Sequence, residues 1–474
     1  MELLAVTGES LVGLGEIASA EPIAQRAVDE AQQHLGVTHP LALRARLLMI
    51  DIHRWRGRVH EMRRELAALL PELRRHGDAH PEALARALAG QAHLAIDEAR
   101  FGDAIDSASQ AFELALARLG PNDPRTVEFS SLRAEAQQYE TLSSSEALAA
   151  AERGLRFAEA AYRSGPAHPH VIHMREVYAR ALSMHGRHAA AVAEAQRALA
   201  EAREVFGPGS PLEATIAGNM VPALRRLGEI RAAIASGEHA LAIAGSHLER
   251  DSRSRGAFLT GLGVARLAAR QGEAALRDLD EALHALVQTL PPTSGDVLTA
   301  ALNRVRALAY AGRSDEALSQ VGPLVEAYRV HTPAHLSYAL HVRGQAERLA
   351  GRAADALASQ RESLAAAPDD PTHRMRVLPE IGLVQVTLGH PTEALASFDE
   401  ALVLLDAHQS ATTPLRAETW LGKGQALWTL RRVADARPWF AKADAFWREF
   451  DAGNPGAGEA ALWLARTEPR PGRR

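Results

Sequence analysis

A small side chain returns at nearly constant intervals along this chain of 474 residues, and few folds accommodate such spacing. Each of these anchor positions follows a glycine and a polar turn and opens an Ala-rich stretch, as in LGHPTEALASFDEAL (388–402). Successive anchors are 38 to 44 residues apart, most often 42. They are Ala20, Met62, Ala104, Ala147, Ala191, Ala233, Ala275, Ala317, Ala356, Ala394 and Ala436. A period of this length predicts a stack of about eleven similar units, where length alone would suggest three globular domains.

The pattern around each anchor is helical. A second residue, usually small, follows seven positions later, as Ala401 follows Ala394, and that offset places both on one helix face two turns apart. Small residues there allow a neighbouring helix to approach closely. Upstream lies a second apolar pattern of 12–15 residues that usually ends at a glycine. In the last unit Arg431 takes the place of that glycine, so a strained or differently closed turn is expected there.

Between units, a Ser, Thr, Asp or His often precedes proline, as at His39, His168, Ser210 and Asp370. Such pairs predict an N-cap followed by proline in the first helical turn. No segment alternates with a period of two for long enough to indicate a sheet. The sequence therefore predicts an all-α chain of helix–turn–helix units.

Composition narrows the functional classes. The chain has no cysteine, which excludes disulfide scaffolds, thiol nucleophiles and cysteine-based metal sites. Its formal charge of −5 gives no global attraction to nucleic acid, and basic clusters interleaved with aromatics are missing. No apolar run approaches the roughly 20 residues that span a bilayer, and MELLAVTGESLVGLG is a poor signal peptide. We therefore expect a cytoplasmic protein that binds neither nucleic acid nor membrane.

The segment GLVQVTLGHPTEALASFDEAL (382–402) resembles the tetratricopeptide repeat through Gly382, Gly389, Ala394, Phe398 and Ala401. The 42-residue period is similar to that of the kinesin-light-chain subtype. Other units depart from the motif by carrying Leu66, Ala108, Ala195, Gly237 or Gln360 where this one has Phe398. The resemblance implies a right-handed α-solenoid in which the first helix of each unit lines a concave channel for peptides or partner segments. We expect it to run continuously over 1–450, with a capping helix and a basic tail in 451–474.

The search for catalytic signatures is negative: the sequence lacks a P-loop, H-E-x-x-H, G-x-S-x-G and the kinase motifs. We therefore predict a protein that is not an enzyme and uses no cofactor. One alternative stays open, because His168, His170, His173, His185 and His188 are close in sequence and could hold a metal. The competing interpretation places His168 in an inter-unit turn and the others on the surface, so no metal ligand is assigned.

Positions 18, 14 and 11 residues before an anchor follow one face of the first helix. Several carry planar, hydrogen-bonding side chains, which a peptide site needs, although a simply solvated face is the competing interpretation. The predicted peptide-binding residues are Arg44, Arg86, His173, Arg180, Asn219, Asn303, Arg306, Tyr338, Gln345 and Arg376, called the polar stripe below. By the family resemblance, Asn219 and Asn303 would contact the ligand backbone. The excess of arginine over carboxylates favours an acidic ligand or a C-terminal carboxylate.

The leading functional prediction is a non-catalytic scaffold that binds a partner protein segment or peptide. The alternative is a sensor or interaction subunit of a bacterial signalling system, regulated by peptides and working with a Ser/Thr kinase or a transcription regulator.

Overall fold

The computed structural model describes residues 1–13, 16–76, 79–121, 123–140, 145–162, 168–408 and 413–468. Over these ranges the chain forms helices and turns and no strand, which confirms the all-α prediction. The α-helices are α1 Glu2–Gly13, α2 Ile17–His34, α3 Pro40–Arg56, α4 Val59–Arg75, α5 Pro81–Asp97, α6 Phe101–Leu119, α7 Pro124–Glu140, α8 Ser145–Ala161, α9 Pro169–Met184, α10 His188–Phe206, α11 Pro211–Leu227, α12 Ile230–His247, α13 Arg253–Ala268, α14 Gly272–Thr289, α15 Gly295–Tyr310, α16 Ser314–His331, α17 Leu336–Leu349, α18 Ala353–Ala366, α19 Pro371–Thr387, α20 Pro391–His408, α21 Pro414–Thr429, α22 Val433–Phe450 and α23 Pro455–Arg466. None of them is both long and apolar enough to cross a membrane.

The structure divides into two compact lobes. Lobe 1 comprises Met1–Ala223, Ala235–Phe258 and His284–Pro291, and lobe 2 comprises Leu224–Ile234, Leu259–Leu283 and Pro292–Arg474. Within each lobe, repeats that are distant in sequence are tied together. In lobe 1, Arg58 pairs with Glu249; in lobe 2, Asn454 donates a hydrogen bond of 2.8 Å to the carbonyl of Ala269, 185 residues away.

The anchors occupy equivalent places in the helical repeat. Each lies near the start of an even-numbered helix from α2 to α22, and all eleven are buried, Ala147 being the most exposed at 7%. The helix pairs from α1–α2 to α21–α22 are therefore the eleven predicted units. Within each lobe, helix–turn–helix repeats bury their apolar faces against neighbouring repeats, which confirms the predicted α-solenoid fold class.

The close approach of helices is clearest around Phe398. This ring on α20 is fully buried between Gly382 of α19 and Gly422 of α21. A methyl group built on Gly382 would lie 2.7 Å from the ring, and one on Gly422 would lie 2.5 Å from it. The ring of Phe398 thus requires glycine at both of these positions.

The turns inside repeats use left-handed residues. Gly57, Gly186, Gly228, Gly312, Gly351 and Gly389 have φ between 73° and 87°; Gly15, a further predicted turn glycine, lies outside the described ranges. Where no glycine stands at the turn, Ala99, Arg270 and Arg431 take φ of 57°, 62° and 64°. The turn at Arg431 closes with the hydrogen-bond pattern of the glycine turns, at the steric cost of a Cβ in the left-handed region.

Several helix boundaries match the predicted caps. The side chains of His39, His168 and Asp370 each accept a hydrogen bond from a backbone N–H in the first turn of the following helix. Helix α11 contains Pro222 and continues to Leu227, so the proline does not end it. At the C-terminal end of the described chain, Trp463 of α23 stacks on Phe440 with ring centroids 5.5 Å apart. The predicted basic tail beyond residue 468 lies outside the described residues.

Candidate functional site

The polar stripe lies on the first helices of the repeats. Eight of its ten side chains are half-buried, whereas Asn303 and Gln345 are buried, each 2% exposed. Half-burial keeps polar atoms available to a ligand while limiting side-chain motion. The stripe residues fall into four groups that differ in how their charges are balanced.

The first group, in lobe 1, is neutralised by the protein itself. Arg44 donates to Glu9 over 2.9 Å, and Arg86 donates to Asp51 over 2.9 Å. Burial would raise the pKa of Glu9, but the two arginines outweigh it and lower that pKa. These residues line a cavity of about 980 Å³ within lobe 1, which also contains Arg54. Its lining thus mixes both signs of charge.

The second group is also in lobe 1 and is held by two glutamates. Arg180 donates to Glu135 over 3.1 Å, and the ring of His173 lies 3.5 Å from the same carboxylate. Burial would raise the pKa of Glu135 and lower that of His173, but their contact outweighs burial and shifts each pKa the opposite way, with Arg180 also lowering that of Glu135. Asn219 donates to Glu176 over 2.6 Å, which orients its amide.

The third group lies in lobe 2 and forms a hydrogen-bonded network in two parts. The hydroxyl of Tyr338 donates to Asn303 over 2.8 Å. The amide of Gln345 donates to Tyr310 over 3.2 Å and to Glu380 over 2.8 Å. These bonds fix the side chains before any ligand arrives, which lowers the entropy cost of binding.

Glu380 is the acidic centre of this network. It pairs with Arg348, and its pKa falls to about 2 because Arg348, Arg270 and His341 outweigh the burial that would raise it. Arg270 pairs with Glu418 and lies over the ring of Tyr310, 4.4 Å from its centroid. These two carboxylates are thereby committed to Arg348 and Arg270.

The positive charges of the remaining stripe arginines of lobe 2 are not balanced by paired carboxylates. Arg306 and Arg376, together with Arg225 and Arg226 of α11, have no ion pair to a carboxylate within the described part of the chain. Burial and then Arg226, Arg376 and Arg306 lower the pKa of Arg225, to about 9. Burial and Arg226 likewise lower the pKa of Arg376 to about 10. We call these four residues the arginine cluster.

Sequence reasoning identified Arg306 and Arg376 but missed Arg225 and Arg226. The pair falls near the end of α11, outside the three stripe positions, and looks like an ordinary basic helix terminus. No local signal relates it to Arg376, about 150 residues later. Only the folding of lobe 2 brings these charges within electrostatic range.

The histidine group takes structural positions in part. His168 caps α9 and stacks on Tyr162 with centroids 3.6 Å apart, and His173 contacts Glu135. Among the described residues, no set of three or more His, Asp or Glu side chains is arranged to hold a metal ion.

Sequence models of the tetratricopeptide repeat match residues 170–246, 302–371 and 380–455. No curated protein sequence matches the chain significantly. Among solved structures, a Rap protein complexed with Competence and Sporulation Factor is similar, with a TM-score of 0.55 and 15% identity over 77% of this chain and 96% of that one. NprR in complex with its cognate peptide NprX has a TM-score of 0.49 and 13% identity, over 75% of this chain and 97% of that one. A kinesin-light-chain-type protein from Podosopora anserina has a TM-score of 0.37 and 19% identity, over 43% of this chain and 97% of that one. At 15% identity, the similarity to the Rap protein shows a shared fold and nothing more.

Proposed function

This chain belongs to the tetratricopeptide-repeat family, and from that premise we propose that it is a non-catalytic scaffold that holds a partner segment or peptide along its polar stripe. A stack of repeats presents a long face made of many first helices, which suits an extended ligand. Amide side chains can bond both the N–H and C=O groups of a peptide, and arginine can fork onto carboxylates.

The observation that supports this proposal is the preorganised part of the stripe in lobe 2. Asn303 and Gln345 are buried and hydrogen-bonded, so they hold Tyr338 and Tyr310 in place. Tyr338, by contrast, is half-buried. A rigid, buried support beneath partly exposed polar side chains is the arrangement that a binding surface requires.

A peptide selection tests the proposal. The full chain would be panned against a displayed library of unphosphorylated peptides, and the dissociation constant of the best peptide measured by fluorescence anisotropy. For a peptide on the lobe 2 stripe, Arg376→Ala should weaken binding about tenfold or more, because a charge-assisted hydrogen bond contributes about 1.5–3 kcal/mol. Asn219→Ala tests the lobe 1 stripe in the same way.

Arg374→Ala is the matched control. Arg374 lies on the same helix as Arg376 but pairs with Glu400, so its removal should leave the dissociation constant unchanged. Selected peptides whose affinity responds to no stripe variant would show that the stripe is only a solvated helix face.

The second candidate is an interaction subunit of a bacterial signalling system, working with a Ser/Thr kinase or a transcription regulator. It is favoured by the likeness in fold to Rap, whose structure contains Competence and Sporulation Factor. It ranks second because 15% identity relates the two folds and not their binding residues. A kinase or regulator encoded beside this chain should change its rate of phosphorylation or its DNA affinity when the purified chain is added; unchanged values would remove this candidate.

A further inference from the structure

The arginine cluster concentrates positive charge in lobe 2 without an internal counter-charge. Its members come from three first helices: Arg225 and Arg226 from α11, Arg306 from α15 and Arg376 from α19. All four are half-buried. None forms an ion pair with a carboxylate over the described ranges, and Arg376 donates only to the carbonyl of Thr372 on its own helix.

The carboxylates that influence the cluster are already engaged. Glu380 acts on Arg306 but is bound by Arg348 and Gln345. Asp370 acts on Arg376 but caps the N-terminus of α19, accepting hydrogen bonds from two backbone N–H groups. The cluster therefore keeps close to four uncompensated positive charges.

Repulsion between the positive charges of the arginine cluster lowers the stability of the folded protein. Guanidinium groups stay protonated at neutral pH, so the mutual repulsion cannot be relieved by losing a proton. The lowered pKa values of Arg225 and Arg376 reflect burial together with that repulsion. The pKa of Arg306 is raised instead, because Tyr338, Tyr310 and Glu380 together outweigh its burial and the nearby Arg270.

Arg306 also has an unused donor: its Nε is buried and has no hydrogen-bond partner among the described residues. Buried donors are normally satisfied, so an unpaired one on a cationic surface points to an absent acceptor.

Lobe 1 supplies an internal comparison. Arg44 and Arg86 occupy the same position in their repeats as Arg376, 18 residues before the anchor. Both are paired, with Glu9 and Asp51. The repeat position therefore does not by itself leave an arginine unpaired.

We infer that the arginine cluster binds a phosphoryl group carried on a side chain of the partner segment, an inference that rests on the proposed scaffold function. A carboxylate brings one negative charge and two acceptor oxygens. A phosphorylated side chain brings about −1.5 to −2 charges and three strong acceptor oxygens, which suits several converging guanidinium groups. The phosphoryl group would accept the free Nε–H of Arg306 and the outer N–H groups of Arg376 and Arg225.

Tyr338 acts as a positioning residue in this site. Its ring lies under the guanidinium of Arg376, 5.9 Å from centroid to Cζ, and its hydroxyl is held by Asn303. The Asn303–Tyr338 hydrogen bond therefore restricts where Arg376 can reach before a ligand binds.

The test uses small probes and the full chain, so it needs no knowledge of the partner. Isothermal titration calorimetry at constant ionic strength would compare inorganic phosphate, N-acetyl-O-phosphoserine amide, N-acetylglutamate amide and N-acetylserine amide. Both phosphate probes should bind about tenfold tighter than the glutamate probe, and the serine probe should not bind. Both phosphate probes should also raise the melting temperature, because they bind only the folded state.

Variants then locate the site. Arg306→Gln with Arg376→Gln should weaken phosphate binding about tenfold or more and, because repulsion is relieved, raise the melting temperature of the ligand-free chain. Arg304→Gln removes the same charge from α15 but from an arginine paired with Asp280, so phosphate affinity should not change. If the double variant fails to fold, Arg226→Gln is measured in the same way.

Three results would overturn the inference: phosphate that binds no better than glutamate, phosphate affinity that survives the double variant, or inorganic phosphate that binds while the phosphoserine probe does not. The last would assign the cluster to free phosphate. Failure here is distinguishable from failure of the scaffold function, because the selected peptides are unphosphorylated and their binding is measured separately.

Discussion

Replacing Gly382 by alanine should destabilise the C-terminal repeats. The added methyl group would lie 2.7 Å from two ring carbons of Phe398 and 3.0 Å from a third, closer than packed carbon atoms come. The ring cannot move away, because it is fully buried and Gly422 meets its other side. Overpacking of this kind costs about 1–3 kcal/mol, from which the better helix propensity of alanine recovers about 0.5–1 kcal/mol. The net expected loss of stability is about 0.5–2 kcal/mol.

Tryptophan fluorescence during urea unfolding is a suitable assay. Five of the chain's six tryptophans lie between residues 420 and 463, so the signal reports this region in a stack whose repeats can unfold separately. Gly458→Ala is the matched control: Gly458 is an exposed glycine inside α23, and a methyl group there meets no atom of a packed neighbour within 4 Å. That variant should stabilise by about 0.5–1 kcal/mol, the opposite sign.

A double-mutant cycle tests the stated cause. Phe398→Ala removes the ring, so Gly382→Ala made in that background should become neutral or stabilising. The chain already contains this combination: Ala92 with Ala108, and Ala179 with Ala195, stand at the equivalent repeat positions, and all four are buried. The packing argument would be refuted if Gly382→Ala had a urea midpoint at or above that of the wild type. It would also be refuted if Gly382→Ala still lowered stability in the Phe398→Ala background.

Three further expectations concern stability. Arg431→Gly should raise the free energy of unfolding by about 0.5–1 kcal/mol, and with it the urea midpoint, because glycine adopts the left-handed turn without strain. Gly389→Ala should lower the midpoint, and two substitutions that shift it in the same direction would contradict this expectation. Burial lowers the pKa of His341 to about 3, so the unfolded chain binds the proton more tightly than the folded chain does. As the pH falls from 6.5 toward 3, this residue therefore lowers the free energy of unfolding by about 1.4 kcal/mol per pH unit. His341→Asn should therefore show a shallower loss of stability below pH 6.5 than the wild type, and parallel curves would disprove it. Asn454→Ala should cost about 1–2 kcal/mol by calorimetry, because the side chain caps α23 and donates to the carbonyl of Ala269; Asn454→Ser, which keeps a capping oxygen and places no charge against that carbonyl, should lose less.

The helical repeat could be predicted because it depends on local spacing. The burial of Ala394 and the left-handed turn at Gly389 follow from helix geometry and from the steric limits of the backbone, which act within a few residues. The strained turn at Arg431 was predictable for the same reason. The ten stripe positions were identified as faces of helices, but their surroundings were not.

Tertiary structure alone decided which stripe residues keep a free charge. Arg44 meets Glu9 across 35 residues and is neutralised, whereas Arg376 lies within electrostatic range of Arg225, about 150 residues earlier, and is not. Helix periodicity gives the direction in which a side chain points but not what stands opposite it, because that depends on how successive repeats turn about one another. Charge balance follows distances between helices, and those distances arise only when the whole lobe packs.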